Sequence, residues 1–157
     1  MALSLEHFGT IHGVIHTAGV AGGGMIQLKT PEVAESVFAP KVKGTLVLSD
    51  VLRDLKLDFL VLCSSLSSLE GGLGQVDYCA ANAFLDAFAR DRTATGNCSI
   101  VSINWDVWQE VGMAVNTAVP QELKQWREDN LKHGLLALKG RRNRLKSFIG
   151  KAGNILW

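Results

Sequence analysis

Three short apolar runs, each closed by a small or polar residue, alternate along the chain with longer stretches of helical periodicity. "IHGVIHTAG" (Ile11 to Gly19) is β-rich and stops on glycine, and "LDFLVLCSS" (Leu57 to Ser65) is apolar through its middle. "SIVSINWD" (Ser99 to Asp106) is the third run. Between the first two lies "TPEVAESVFAPKVKGTLVLSDVLRDL", where Thr30 suits an N-cap, Pro31 the first helical position and Glu32 the positive end of the dipole. Val33, Val37 or Phe38, Val42, Leu46 and Leu52 repeat at roughly helical spacing as the expected buried stripe. Pro40 is expected to kink or split that helix, because it lacks an N–H and its ring clashes with the preceding turn. A further helix, carrying Tyr78, fills the gap between the second and third runs. Strand, helix, strand, helix, strand predicts βαβ units: an α/β fold with a parallel sheet and helices on its faces.

In such a sheet ligands gather at the carboxyl ends of the strands. Those exits are His16 to Gly24, Ser64 to Gly74 and Asn104 to Met113. Within "CSSLSSLEGGLGQVDYCAANAFLDAFA" (Cys63 to Ala89), Tyr78 and Asn82 are four apart and share a helix face, with Ala80, Phe84 and Phe88 expected about opposite. A polar pair facing a glycine loop marks a candidate site. Ser64, Ser67 and Ser68 read as loop hydroxyls bonding the local backbone, and Lys43 as a solvated helix lysine. His12 and His16 bracket "GVI" in a strand without a third ligand, so no metal site is expected. "AGGGM" (Ala21 to Met25) is no phosphate cradle, since no helix opens immediately after it and the G-x-G-x-x-G spacing is absent.

With 157 residues, 47% of them hydrophobic, the chain has material for one domain with a core. Its formal charge of +1 neither favours nor excludes a charged partner. Cys63, Cys79 and Cys98 form no CxxC pair and no even framework, which predicts a reducing, cytoplasmic setting. No apolar run approaches the roughly 18 residues of a membrane span, and the first residues lack the basic flank and apolar core of a signal peptide. After Asp129 no acidic residue follows, while Lys139, Arg141, Arg142, Arg144, Lys146 and Lys151 are basic. This reads as a solvated tail or a stretch of altered reading frame, and nucleic-acid binding is not expected.

Joint spacing narrows the field. Ser65 lies thirteen positions before Tyr78, Asn82 four after it, and Lys41 thirty-seven before it, just behind Pro40. "GVIHTAG", "FAPKVKGT", the Cys63 to Ala89 segment and "INWDVWQEVGMA" together resemble, in family order, the ketoreductase domains of modular polyketide synthases, members of the short-chain dehydrogenase/reductase superfamily. The resemblance covers about residues 8 to 133. Most short-chain reductases place lysine four residues after the tyrosine, whereas the polyketide subgroup exchanges the two positions. "YCAAN", with Lys41 upstream, fits that exchange.

The resemblance implies a Rossmann-like, doubly wound parallel sheet and NADPH-dependent reduction of a β-ketoacyl thioester carried by an acyl carrier protein. It implies that Tyr78 donates the proton, that Lys41 favours the phenolate and holds the ribose, that Ser65 bonds the substrate carbonyl, and that Asn82 orders the lysine and a water. Bringing a phenol with an ordinary pKa near 10 down by three units takes about 4 kcal/mol of preferential phenolate stabilisation, much of which a nearby ammonium supplies. Ala18 and Gly19, with Lys41 and Tyr78, fall on the cofactor side. Trp105, Trp108 and Met113 fall on the substrate side, with the two tryptophans equally readable as core. Family members hold the NADPH pyrophosphate on a glycine-rich turn after their first strand, a turn this sequence lacks, and "MALSLEHFG" resembles the tail of the helix before the fourth strand. Residues 1–133 are therefore expected to be the C-terminal portion of an N-terminally truncated domain and 134–157 a basic tail. Two functions follow: the catalytic part of a reductase, or a non-catalytic remnant that assembles with a complementary reductase fragment or other synthase domains. The Leu-Asp-Asp signature of one stereochemical class is replaced by Ala21, Gly22 and Gly23, and the Trp of the other by Glu70, which leaves the alcohol's configuration open.

Overall fold

The three apolar runs become parallel strands in a computed structural model that describes residues 1–95, 98–117, 119, 121–136 and 155–156. They are β1 (Gly13–His16), β2 (Phe59–Ser65) and β3 (Ser99–Trp105), and a two-residue strand β4 (Ile155–Leu156) lies on the other side of β1, giving the order β3-β2-β1-β4. Gly13 pairs with Phe59 and Phe59 with Ser99, so the strand starts line up across the sheet, while β1 stops at His16, opposite Leu62, three residues before β2 ends. Every residue of β1 is buried, as an interior parallel strand requires. The first run is longer than its strand: Thr17 and Ala18 are exposed and begin the loop to which the site belongs.

Helices α2 (Pro31–Phe38), α3 (Gly44–Val51) and α5 (Val76–Thr95) carry buried residues, whereas α1 (Ala2–Phe8), α4 (Ser67–Glu70), α6 (Met113–Asn116) and α7 (Lys124–His133) carry none. The core joins Val14, Leu60 and Leu62 from the sheet to Leu52 just after α3 and to Leu85, Phe88 and Ala89 of α5, with Leu5 of α1 packed at the edge. This placement corrects the expected geometry of α5. Asn82 lies on the same broad buried face as Leu85 and Phe88, because the helix packs against both the sheet and α2. Among the described residues no helix is long and apolar enough to cross a membrane.

Thr30 caps α2 by accepting the Val33 N–H at 3.4 Å, and Pro31 occupies its first turn. The helical run is interrupted at Pro40 as expected: α2 ends at Phe38 and α3 begins at Gly44. Between them Ala39–Lys43 widen into a π-turn in which the Gly44 N–H reaches back to the Ala39 carbonyl. The wide turn puts Val37, Lys41 and Thr45 on one buried face and leaves Val33 and Leu46 exposed, so the expected apolar stripe is displaced. His16, at the end of β1, donates from Nε2 to the Pro40 carbonyl at 3.1 Å and so holds the turn to the sheet.

Two outcomes follow from this packing. Leu62 is fully buried, and Leu62→Ala is expected to cost about 2–5 kcal/mol in denaturant unfolding; a loss under about 1 kcal/mol would show that the core closes over the gap. Burial, and then the Lys41 charge, hold His16 below the ordinary value of 6.5, against the opposing effect of the Pro40 contact. As the pH falls below 6.5 the unfolded chain takes up a proton that the folded chain refuses, so stability should fall with acid. Thermal melts across that range should show this slope in the parent and lose it in His16→Gln. Equal slopes would place His16 outside the linkage.

Candidate active site

Lys41 is 3% exposed, carried inward by the π-turn. Its Nζ donates to the Cys63 carbonyl at 2.8 Å, near the end of β2, and stands 5.8 Å from the centre of the Tyr78 ring. Burial holds its pKa below the usual lysine value, while the neighbouring Cys63 and Asp86 groups oppose that shift. Lys41 is thus a charge surrounded by protein, where the effective dielectric is lower than in water.

Tyr78 sits in the first turn of α5, half-buried, and Asn82 one turn further on is fully buried. The Asn82 amide donates to the Tyr78 carbonyl at 2.8 Å, while its Oδ1 has no protein partner among the described residues. Ser65 ends β2, two residues past Cys63, and its hydroxyl accepts the Ser67 N–H at 3.3 Å. Lys41 and Tyr78 are thus directly juxtaposed. Ser65 and Asn82 are tied to them through Cys63 on the same strand and through the Tyr78 carbonyl.

A residue that sequence reasoning passed over organises the other side of Ser65. Asp86 on α5 accepts from Ser68 Oγ at 2.6 Å, Ser102 Oγ at 2.5 Å and Asn104 Nδ2 at 2.9 Å, and the same Asn104 amide reaches the Ser65 carbonyl at 3.3 Å. Burial pushes the Asp86 carboxyl up, but hydrogen bonds from Ser102, Ser68, Asn104 and Ser64 outweigh it and the net shift is downward. Its signal was present in the spacing: Tyr78, Asn82 and Asp86 recur every four residues along one helix. Ser64 and Ser68 are corrected accordingly. They bond Asn82 and Asp86, eighteen residues away, instead of the local backbone. Lys43 is the solvated lysine it resembled, paired on the surface with Glu35.

The loop after β1 packs against the site residues. A Cβ on Gly19 would lie 3.1 Å from Lys41 Cε and 3.9 Å from the end of Met113, so Gly19, Lys41 and Met113 meet. A Cβ on Gly22 would lie 2.9 Å from Tyr78 Cβ. Lys29, further along the loop, pairs with Asp77 beside the tyrosine at 2.6 Å. Ala18 is exposed at the strand exit. Trp105 and Trp108 are both half-buried, with ring centres 5.7 Å apart, and Trp108 bridges to Leu135 after α7. Neither tryptophan belongs to the main core cluster. The basic positions between 139 and 151 lie outside the described residues.

Known proteins share this arrangement of strands and helices. A family model described as the KR domain matches residues 1–110. The chain is 45% identical over 116 residues to a 6-methylsalicylic acid synthase of Aspergillus niger, covering 73% of this chain and 6% of that protein. It is 37% identical over 125 residues to polyketide synthase PksN of Bacillus subtilis, covering 76% of this chain and 2% of that protein. A crystal structure of a ketoreductase domain from the bacillaene assembly line superposes with a TM-score of 0.69 at 36% identity, over 82% of this chain and 31% of the other. A short-chain dehydrogenase from Streptomyces avermitilis, 19% identical with a TM-score of 0.62, shares the fold. The chain therefore belongs to the ketoreductase (KR) domains of polyketide synthases, within the short-chain dehydrogenase/reductase superfamily.

Proposed function

We propose that this chain carries the proton-transfer site of an NADPH-dependent reductase that turns a β-ketoacyl thioester, presented on an acyl carrier protein, into a β-hydroxyacyl thioester. The observation that carries the reading is the buried Lys41 ammonium held 5.8 Å from the Tyr78 ring. The residues present fit the nicotinamide and ribose end of the cofactor: at Gly19 the absent Cβ leaves room beside Lys41 that any larger residue would fill, and Ala18 is open to solvent. When bound, the cofactor supplies hydride to the ketone carbon.

The chain's own groups do the rest. Tyr78 gives its phenolic proton to the ketone oxygen, and the Lys41 charge stabilises the phenolate left behind. Ser65 donates to the same oxygen, fixing the carbonyl and sharing its developing charge. Asn82, whose Oδ1 has no partner among the described residues, holds a water that, through Lys41, returns a proton to the Tyr78 phenolate. Trp105, Trp108 and Met113 border the acyl entrance. No G-x-G-x-x-G turn that would hold the cofactor's pyrophosphate occurs in this sequence, so the reading places only the nicotinamide and ribose end on these residues.

Joined to the N-terminal half of a related ketoreductase, the chain should oxidise NADPH in the presence of a β-ketoacyl thioester. In that setting Tyr78→Phe, which keeps the ring, should leave less than about a tenth of the parent rate, a barrier increase above about 1.4 kcal/mol, with an unchanged melt. Ser65→Ala should cost on the order of a hundredfold. Lys41→Met should be severe, and its effect should not add to that of Tyr78→Phe, because both act on one proton transfer. A Tyr78→Phe variant that keeps more than a tenth of the rate removes Tyr78 as donor. A folded parent fusion with no turnover supports the alternative, a non-catalytic remnant.

A further inference from the structure

We propose that Lys29 and Asp77 are positioning residues: their buried ion pair latches the glycine loop 17–30 onto the start of α5 and so fixes how Tyr78 is presented. The inference rests on the reading of Tyr78 as proton donor. Asp77 divides its carboxylate between two tasks. Oδ1 accepts the backbone N–H of Tyr78 at 2.9 Å, one of the donors that a helix start leaves unpaired, and Oδ2 takes Lys29 Nζ at 2.6 Å. Lys29 Nζ also donates to the Gly23 carbonyl at 2.5 Å, so one ammonium joins the loop's own backbone to the helix.

The loop it holds touches both halves of the catalytic pair. Gly19 lies on Lys41, and Gly22 lies so close to α5 that a Cβ there would stand 2.6 Å from Asp77 Oδ1 and 2.9 Å from Tyr78 Cβ. Gly24 meets Gly74, whose φ of +70° lets the chain turn into α5. Burial separates this pair from a surface ion pair. The side chains of Lys29 and Asp77 are 7% and 1% exposed, against 66% and 49% for Lys43 and Glu35. A surface pair is screened and nearly inert, whereas removing one member of a buried pair strands the other charge. Removing both leaves no unpaired charge, so stability and positioning come apart in the double variant.

Tyr78 is the chain's one tyrosine, so the chain labelled with isotopic tyrosine gives one amide and one ring to follow by NMR. Lys29→Met and Asp77→Asn should each lower the melting temperature, shift the Tyr78 signals and speed exchange of its amide by about tenfold or more. Lys29→Met/Asp77→Asn should recover the melting temperature while the Tyr78 amide stays fast and its signals stay displaced. Lys29→Arg should restore the parent signals, and Lys43→Met should leave them in place. Should a single variant fail to fold, the double variant and Lys29→Arg decide. Tyr78 signals and exchange at parent values in the double variant would overturn the proposal, leaving the pair a matter of stability alone. No turnover enters this readout. Its failure leaves the reductase reading intact, and failure of the Tyr78→Phe test leaves the latch measurable.

Discussion

Burying the ammonium of Lys41 is the constraint on which the surrounding structure depends. Taking an ion out of water costs several kcal/mol even after relaxation, and the cost is met only where fixed dipoles and opposite charge stand close by. Here the Cys63 carbonyl, the face of Tyr78 and the more distant Asp86 carboxylate share that task. Each comes from a different element, or a different turn of one. The end of β2, the start of α5 and the second turn beyond it must therefore all keep their places around a lysine delivered by a π-turn.

The compensation is deliberately incomplete in electrostatic terms. The Asp86 carboxylate is already engaged by Ser68, Ser102 and Asn104, and the Cys63 carbonyl is a dipole without net charge. The ammonium keeps an attraction for any anion that forms beside it, and the Tyr78 ring is among its neighbours. His16 belongs to the same balance. A protonated imidazole would add a second positive charge beside Lys41, and burial together with that lysine keeps the ring neutral while it donates to Pro40.

The strands, the Thr30–Pro31 helix start and the spacing of Lys41, Ser65, Tyr78 and Asn82 were legible because they are local patterns or fixed intervals along the chain. The π-turn was not. Pro40 announces a disturbance, but whether a helix kinks, breaks or widens is settled by what lies beneath it, here His16 and the buried Lys41. Phe88 was placed on the wrong side of α5 because periodicity fixes relative angles on a helix without saying how wide its buried face is. Asp86 had a visible interval and no visible partners, since Ser68, Ser102 and Asn104 come from two other elements. Lys29 and Asp77 are forty-eight residues apart in separate loop and helix contexts, and nothing in composition or period joins them.

The central claim is a distance, and the single tyrosine makes it measurable without cofactor or substrate. In the chain carrying labelled tyrosine and labelled lysine, nuclear Overhauser contacts between the Tyr78 ring and the ε-methylene of Lys41 are expected, given an ammonium 5.8 Å from the ring centre. These contacts should vanish in Lys41→Met and persist in Lys43→Met. A folded parent chain whose tyrosine ring shows contacts to other residues but none to Lys41 would contradict the account.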